Sequence, residues 1–143
     1  MSKRKPQTYF CKQVLIALGS HVVTGWADDN FVSYEKNGDG TTTKYGCDGE
    51  IVRSIDPNTS YKIKLSLLHT SLTNGFLQNK YNQDQETGEG YFPLMIKDLR
   101  GTVLFQSDYA WIAKPANRSF GKQAPNTDWE IETGEATVTE GAA

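Results

Sequence analysis

The stretch from Phe31 to Arg53, FVSYEKNGDGTTTKYGCDGEIVR, decides how this chain is built. It reads as two strand-like arms around a polar, glycine-rich tip, Asn37-Gly38-Asp39-Gly40. Val, Tyr, Thr and Phe in alternation favour extended backbone. Gly38 and Gly40 admit the positive φ angles that a tight reversal needs. Six residues per arm span about 20 Å at ~3.3 Å per residue. An isolated two-stranded ribbon is marginal in water, and this one carries few large apolar residues. It must lie on its own domain or be completed by another chain. Asp48-Gly49 adds a turn or bulge inside the second arm.

The flanking sequence supplies the domain. Tyr61 to Leu68 alternates most clearly: Tyr61, Ile63, Leu65 and Leu67 on one face, Lys62, Lys64 and Ser66 on the other. That pattern belongs to a sheet with one face on a core and one in water. Further strands are expected at Lys12 to Leu18, Val22 to Trp26, Phe92 to Ile96, Thr102 to Gln106, Tyr109 to Ala113 and Trp129 to Thr133. Asp98-Leu99-Arg100-Gly101 turns Phe92 to Ile96 back into a hairpin. The one helix candidate follows Thr70 or Ser71 as cap, with Leu72, Phe76 and Leu77 as a partial apolar stripe. Asn74 and Gly75 weaken it, so a short helix is expected, with Asn82 to Gly90 as a mobile loop. The fold class is mainly β (α+β): a β-sandwich or barrel with one flanking short helix. The expected organisation is a flexible segment at 1–10, one β domain at 11–134 and a fraying tail at 135–143.

Composition narrows the function. One domain suits 143 residues, and a chain this long needs no staples. A net charge of −2 argues against a strongly basic nucleic-acid binder. Lys3-Arg4-Lys5 reads as a solvated tail. No apolar run approaches the ~18 residues of a membrane span. The stretch Val14 to Leu18 is too short for a signal peptide and follows Lys12 and Gln13. Cys11 and Cys47 lack metal spacing and read as free thiols.

Catalytic constellations are poor. His21 and His69 lie far apart, and His69 ends a strand on its apolar parity, which suits a satisfied structural histidine. No serine sits in a nucleophile elbow, and Gly38-Asp39-Gly40 lacks the Lys-Ser/Thr of a phosphate loop. Asn37, Asp39 and Thr41 do not meet the spacing of a calcium loop. Glu130 and Glu132 share one wet face without a cleft between them. Trp111 and Trp129 read as core anchors. No catalytic residue, metal site or cofactor is expected.

Several segments together resemble the tail-tube protein of contractile-tailed bacteriophages, from about Val14 to Glu132. They are Val23-Thr24-Gly25-Trp26-Ala27-Asp28, then Tyr45-Gly46-Cys47-Asp48-Gly49-Glu50-Ile51-Val52-Arg53, Leu65 to Asn74, Ile96 to Gly101, and Ala110-Trp111-Ile112-Ala113-Lys114-Pro115. Their order and spacing carry the likeness. Family members generally show Phe where Trp26 stands, and the basic N-terminal segment is less typical.

The resemblance implies a structural subunit of the virion tail, assembled in the host bacterial cytoplasm. Its partners would be itself, as stacked homo-hexameric rings, the tail sheath, and the baseplate and tail-terminator proteins. Phage DNA would pass through the lumen without specific binding, and no stable membrane association is implied. A long hairpin reaches the adjacent ring, for which Lys36, Asn37, Gly38, Asp39, Gly40, Thr41, Thr42, Thr43 and Lys44 are the candidate contacts. Lys62, Lys64, Ser66, Glu130 and Glu132 are the lumen-facing candidates, with the glutamates offsetting the lysines. The alternative function is a soluble β-sandwich binding module for carbohydrate or a protein partner. It would use Trp26 and loops 82–90 and 115–127.

Overall fold

The computed structural model describes residues 6, 9, 11–28, 30–99 and 103–140. Most of the expected flexible segment at 1–10 lies outside these. A single 3-10 turn, Cys11–Gln13, leads into the strands β1 (Val14–Leu18), β2 (His21–Val22), β3 (Val32–Lys36), β4 (Thr41–Tyr45), β5 (Ile51–Ile55) and β6 (Tyr61–Leu67). Then come the helix α1 (Thr73–Thr87) and the strands β7 (Phe92–Asp98), β8 (Leu104–Lys114), β9 (Thr127–Thr133) and β10 (Ala136–Thr139).

Eight strands form one antiparallel sheet in the order β2-β1-β7-β8-β9-β6-β3, with β10 beside β8. Period-2 alternation builds its core. Ile16 and Leu18 of β1, Ile63, Leu65 and Leu67 of β6, Leu94 and Ile96 of β7, Phe105 and Ile112 of β8, and Trp129 and Ile131 of β9 are buried together. These five strands thus turn their apolar parity inward, and the sheet curls around that face. Val14 of β1, beyond the reach of the short edge strand β2, and Val32 of the other edge strand, β3, line one shared groove, so the curl stops just short of a closed barrel.

Three expectations change at this level. The expected strand Val22 to Trp26 shrinks to β2, and Trp26 keeps only an isolated bridge to Leu67. The two strands expected at Thr102 to Gln106 and Tyr109 to Ala113 are one strand, β8, bent by an irregularity where Phe92 pairs with Ala110 but Leu94 with Ser107. The bend explains why burial on β8 steps from Ser107 to Ala110 instead of alternating strictly. The tail after Gly134 does not simply fray. Ala136 to Thr139 pairs residue by residue with Ser107 to Leu104, and Val138 packs against the core. Ending the chain at Gly134 is expected to lower stability by roughly 2–3 kcal/mol, as a shifted denaturant midpoint, because one half-buried valine and a short ladder are lost.

The helix runs four turns, through most of the expected loop 82–90. Ser71 sits one residue ahead of the cap position, yet its hydroxyl still accepts from the Thr73 amide at 3.2 Å. Asn74 weakens the helix as a propensity but fixes it as a contact. Its Oδ1 accepts from Thr127 Oγ1 at 2.7 Å and from Trp129 Nε1 at 3.0 Å, and its Nδ2 donates to the carbonyls of Leu68 and His69. One buried amide therefore ties α1 to β9 and to the turn that follows β6. Gly25 tightens the same corner. It holds φ +70°, and a Cβ there would meet the Ser71 Cβ at 2.7 Å.

Candidate functional site

No enzyme-like centre emerges among the described residues. No group of three or more His, Cys, Asp or Glu among the described residues is placed to hold a metal ion. No helix of the described residues is long and apolar enough to cross a membrane. His21 donates to or accepts from Thr73 Oγ1 at 2.9 Å and stacks on Phe76, which is a packing role. His69 departs from the satisfied histidine expected: its Nδ1 is buried without a hydrogen-bond partner, and its ring meets the edge of Phe120. Trp26 stacks on Phe31 with centroids 4.7 Å apart. Cys11 and Cys47 are both exposed free thiols.

Two surfaces stand out instead. The first is the ribbon. The arms expected to fold on each other around Asn37-Gly40 do not pair. β3 pairs with β6, Val32 opposite Leu65 through Lys36 opposite Tyr61. β4 pairs with β5, Thr41 opposite Ile55 through Tyr45 opposite Ile51. The reason is local. Asn37 is tied to Ser60 by backbone and side chain, and the Asp56 amide bonds the Gly40 carbonyl. Lys36 to Gly40 therefore forms the base of the ribbon. The tip is Gly46-Cys47-Asp48-Gly49-Glu50, closed by the Gly46 amide on the Glu50 carbonyl at 2.7 Å. Gly49, at φ +90° with open space around it, supplies the conformation this reversal needs.

Of the candidate hairpin contacts, Thr41, Thr42, Thr43 and Lys44 lie on the ribbon, while Lys36, Asn37, Gly38, Asp39 and Gly40 lie at its root. The residues missed are those of the second arm. Every position of β4 and β5 is exposed, and none belongs to the core. Yet Tyr45 is 72% exposed, Ile51 60% and Ile55 72%. Their register puts all three on one face.

The second surface is the outer face of the sheet. The lumen candidates come together here. Lys62 faces Glu132, Lys64 faces Glu130 and Ser66 faces Asp128 across β6 and β9. Ser66 Oγ donates to Asp128 Oδ1 at 2.6 Å. Glu35 on β3 adds to this ladder opposite Lys62, and Lys114 on β8 opposite Glu130. Four carboxylates thus stand among three ammonium groups, in alternating cross-strand pairs. Such pairs favour the sheet by roughly 0.2–1 kcal/mol each. The variant Glu130→Lys is expected to cost about 1 kcal/mol, and Lys64→Glu in the same chain is expected to restore much of it. Denaturant titration of the three variants checks this.

Trp111 lies on this outer face opposite Glu132 and is only half-buried. It is not the core anchor expected; Trp129, 2% exposed, fills that role. Trp111→Ala is expected to cost less than half of the ~3–5 kcal/mol expected for Trp129→Ala.

A curled antiparallel sheet with a flanking helix and a projecting ribbon is the fold of tube proteins from contractile machines. The anti-feeding prophage cap that terminates its tube superposes with a TM-score of 0.66 at 13% identity, over 99% of this chain and 95% of that one. A chain of the sheath-tube complex of an extracellular contractile injection system, in its extended state, gives 0.62 at 12% identity, over 94% and 93%. A chain of the sheath/tube terminator of that system gives 0.59 at 14% identity, over 96% and 99%. Within that class, residues 15–141 match the model of the bacteriophage PhiTE tail tube proteins, and the chain belongs to that family. It is also 32% identical over 145 residues to structural protein ORF10 of Pseudomonas phage KPP10, covering 96% of this chain and 84% of that protein. The chain is a structural subunit of a phage tail tube.

Proposed function

We propose that copies of this chain close into rings of six and that the rings stack into a hollow tube inside a contractile sheath. The observation that carries this is the ribbon: a strand pair with an apolar face and no core of its own is incomplete in one chain. The open margins of the sheet at β2 and β3 supply the lateral bonds. Exposed strand edges invite pairing with another chain, and ring closure removes them. The ribbon, with Lys36 to Gly40 as its root, bridges to the adjacent ring.

The ladder containing Lys62, Lys64, Ser66, Glu130 and Glu132 lines the lumen. Each lysine is matched by an acid across the strands, so the wall is neutral to slightly negative. Counterion release would make a basic wall adhesive for DNA; a matched wall lets the genome slide past without specific binding. The subunit acts as a wall and catalyses no reaction. The sheath–tube and terminator assemblies of its structural neighbours support a sheath around the tube and a terminator at its end. A baseplate would start the tube, and assembly would take place in the host cytoplasm before the tail joins the virion. Averaged end-on electron micrographs of the assembled protein test the symmetry: six-fold rings are expected, and any other number overturns that part.

A further inference from the structure

The second incomplete feature is a groove of about 950 Å³ between the two margins of the sheet. Val14, Val23, Trp26, Phe31 and Val32 line it. All but Val23 keep part of their surface open. Its position relative to the ribbon is fixed by the β3–β6 ladder. Phe31 and Val32 begin β3, and Trp26 bridges to Leu67 at the end of β6. The ribbon leaves from the other end, where Lys36 faces Tyr61. Groove and ribbon thus lie at opposite ends of the same strand pair.

We infer that the groove is the seat for the β4–β5 ribbon of a second copy of this chain, with Tyr45 and Ile51 entering against Trp26 and Phe31. This rests on the tube reading above and says where the ribbon lands. Three observations select that occupant. The ribbon presents Tyr45, Ile51 and Ile55 on a single face with no described residue of its own chain covering them, and Val14, Trp26, Phe31 and Val32 give the groove an apolar and aromatic wall. The ribbon carries Asp48 and Glu50 at its tip and Arg53 on the face of Ile51 and Ile55, and the groove rim carries Lys12 and Asp28, so both signs of charge find an opposite across the contact. Finally, a contact between opposite ends of identical chains is heterologous. Where its rotation does not close a ring, it repeats as an open stack, as a tube requires.

The chain's only two cysteines report on the contact. Cys47 sits at the ribbon tip and Cys11 on the groove, and both are exposed. The full-length protein, assembled and checked by electron microscopy, is treated with a short thiol-to-thiol bismaleimide. Wild type is expected to give a ladder of dimers, trimers and longer chains, because each copy supplies both thiols. C11S alone and C47S alone are expected to give monomer only, and assemblies mixing the two variants are expected to give dimers. Dimers persisting in C11S or in C47S would show tip-to-tip or groove-to-groove contact and overturn the inference. Tubes without any cross-link would overturn the landing site while leaving the tube reading intact. Absence of assembled particles would overturn both.

Discussion

Ile51→Asp is expected to abolish tube formation while leaving the subunit folded. Ile51 lies on the exposed apolar face of the ribbon, opposite Tyr45, and touches no core residue. Within one chain the substitution changes only solvated surface, where effects stay within about 0.5 kcal/mol. In a stack the same side chain is covered. Losing a buried isoleucine there forfeits roughly 1.5–3 kcal/mol per contact, and an uncompensated carboxylate adds a desolvation cost. Since 1.4 kcal/mol is a factor of about ten in an equilibrium constant, the concentration needed for assembly should rise more than tenfold. Val52→Asp is the control, because Val52 pairs with Lys44 on the opposite face and should weaken assembly far less. Circular dichroism, thermal melting and pelleting of assembled material across a concentration series separate the two properties. A tube-forming Ile51→Asp protein, or one that fails to fold, would contradict the assignment.

A large loss of folding stability, about 2–4 kcal/mol, is expected from Asn74→Ala. Asn74 is 8% exposed, and its amide meets four partners, two on β9 and two in the turn that follows β6. Its removal leaves the Trp129 indole N–H without an acceptor in the core, while the Leu68 carbonyl keeps the Ser71 amide at 3.0 Å and the His69 carbonyl a longer bond from Arg118 at 3.5 Å. Each stranded buried group costs about 1–3 kcal/mol. The Thr127 hydroxyl retains a longer bond to the Leu67 carbonyl at 3.3 Å, which moderates the total. Asn74→Asp distinguishes the two halves of the network: it keeps an acceptor for Trp129 and loses both donated bonds. Urea denaturation followed by tryptophan fluorescence reports directly, since Trp129 is at the centre. A loss below 1 kcal/mol for Asn74→Ala would show that α1 is held by its apolar residues alone.

The strand interiors were the legible part of the fold. Ile63, Leu65 and Leu67 alternate with Lys62, Lys64 and Ser66 strictly enough to fix both faces of β6, and the acids of β9 then fall opposite the lysines. What alternation does not carry is pairing. β3 and β4 are both extended and are joined by a glycine-rich link, which is the local signature of a hairpin. The actual partners were decided by Asn37, Asp56 and Ser60, through bonds formed across more than fifteen residues of sequence. The resemblance located a hairpin in the right region, but its tip lay six or more residues downstream of the glycines that suggested it. Helix length was misjudged for a related reason. Asn82 to Thr87 is polar throughout, so neither stripe nor cap marks it, yet it continues a helix already anchored by Asn74 and Leu77. The tail was legible only as polar sequence; β10 exists because the first half of β8 extends beyond β9 and offers an open edge. Trp111 and Trp129 have the same composition signal, and only the irregularities on β8 separate the outward ring from the buried one.

The most direct measurement is electron microscopy of the purified wild-type protein, concentrated without any partner, paired with sedimentation of the same sample. Hollow tubes of stacked rings, sedimenting far ahead of the single chain, are the result this account predicts. A uniform single-chain species at every concentration, unchanged in the presence of preformed tube ends, would contradict it.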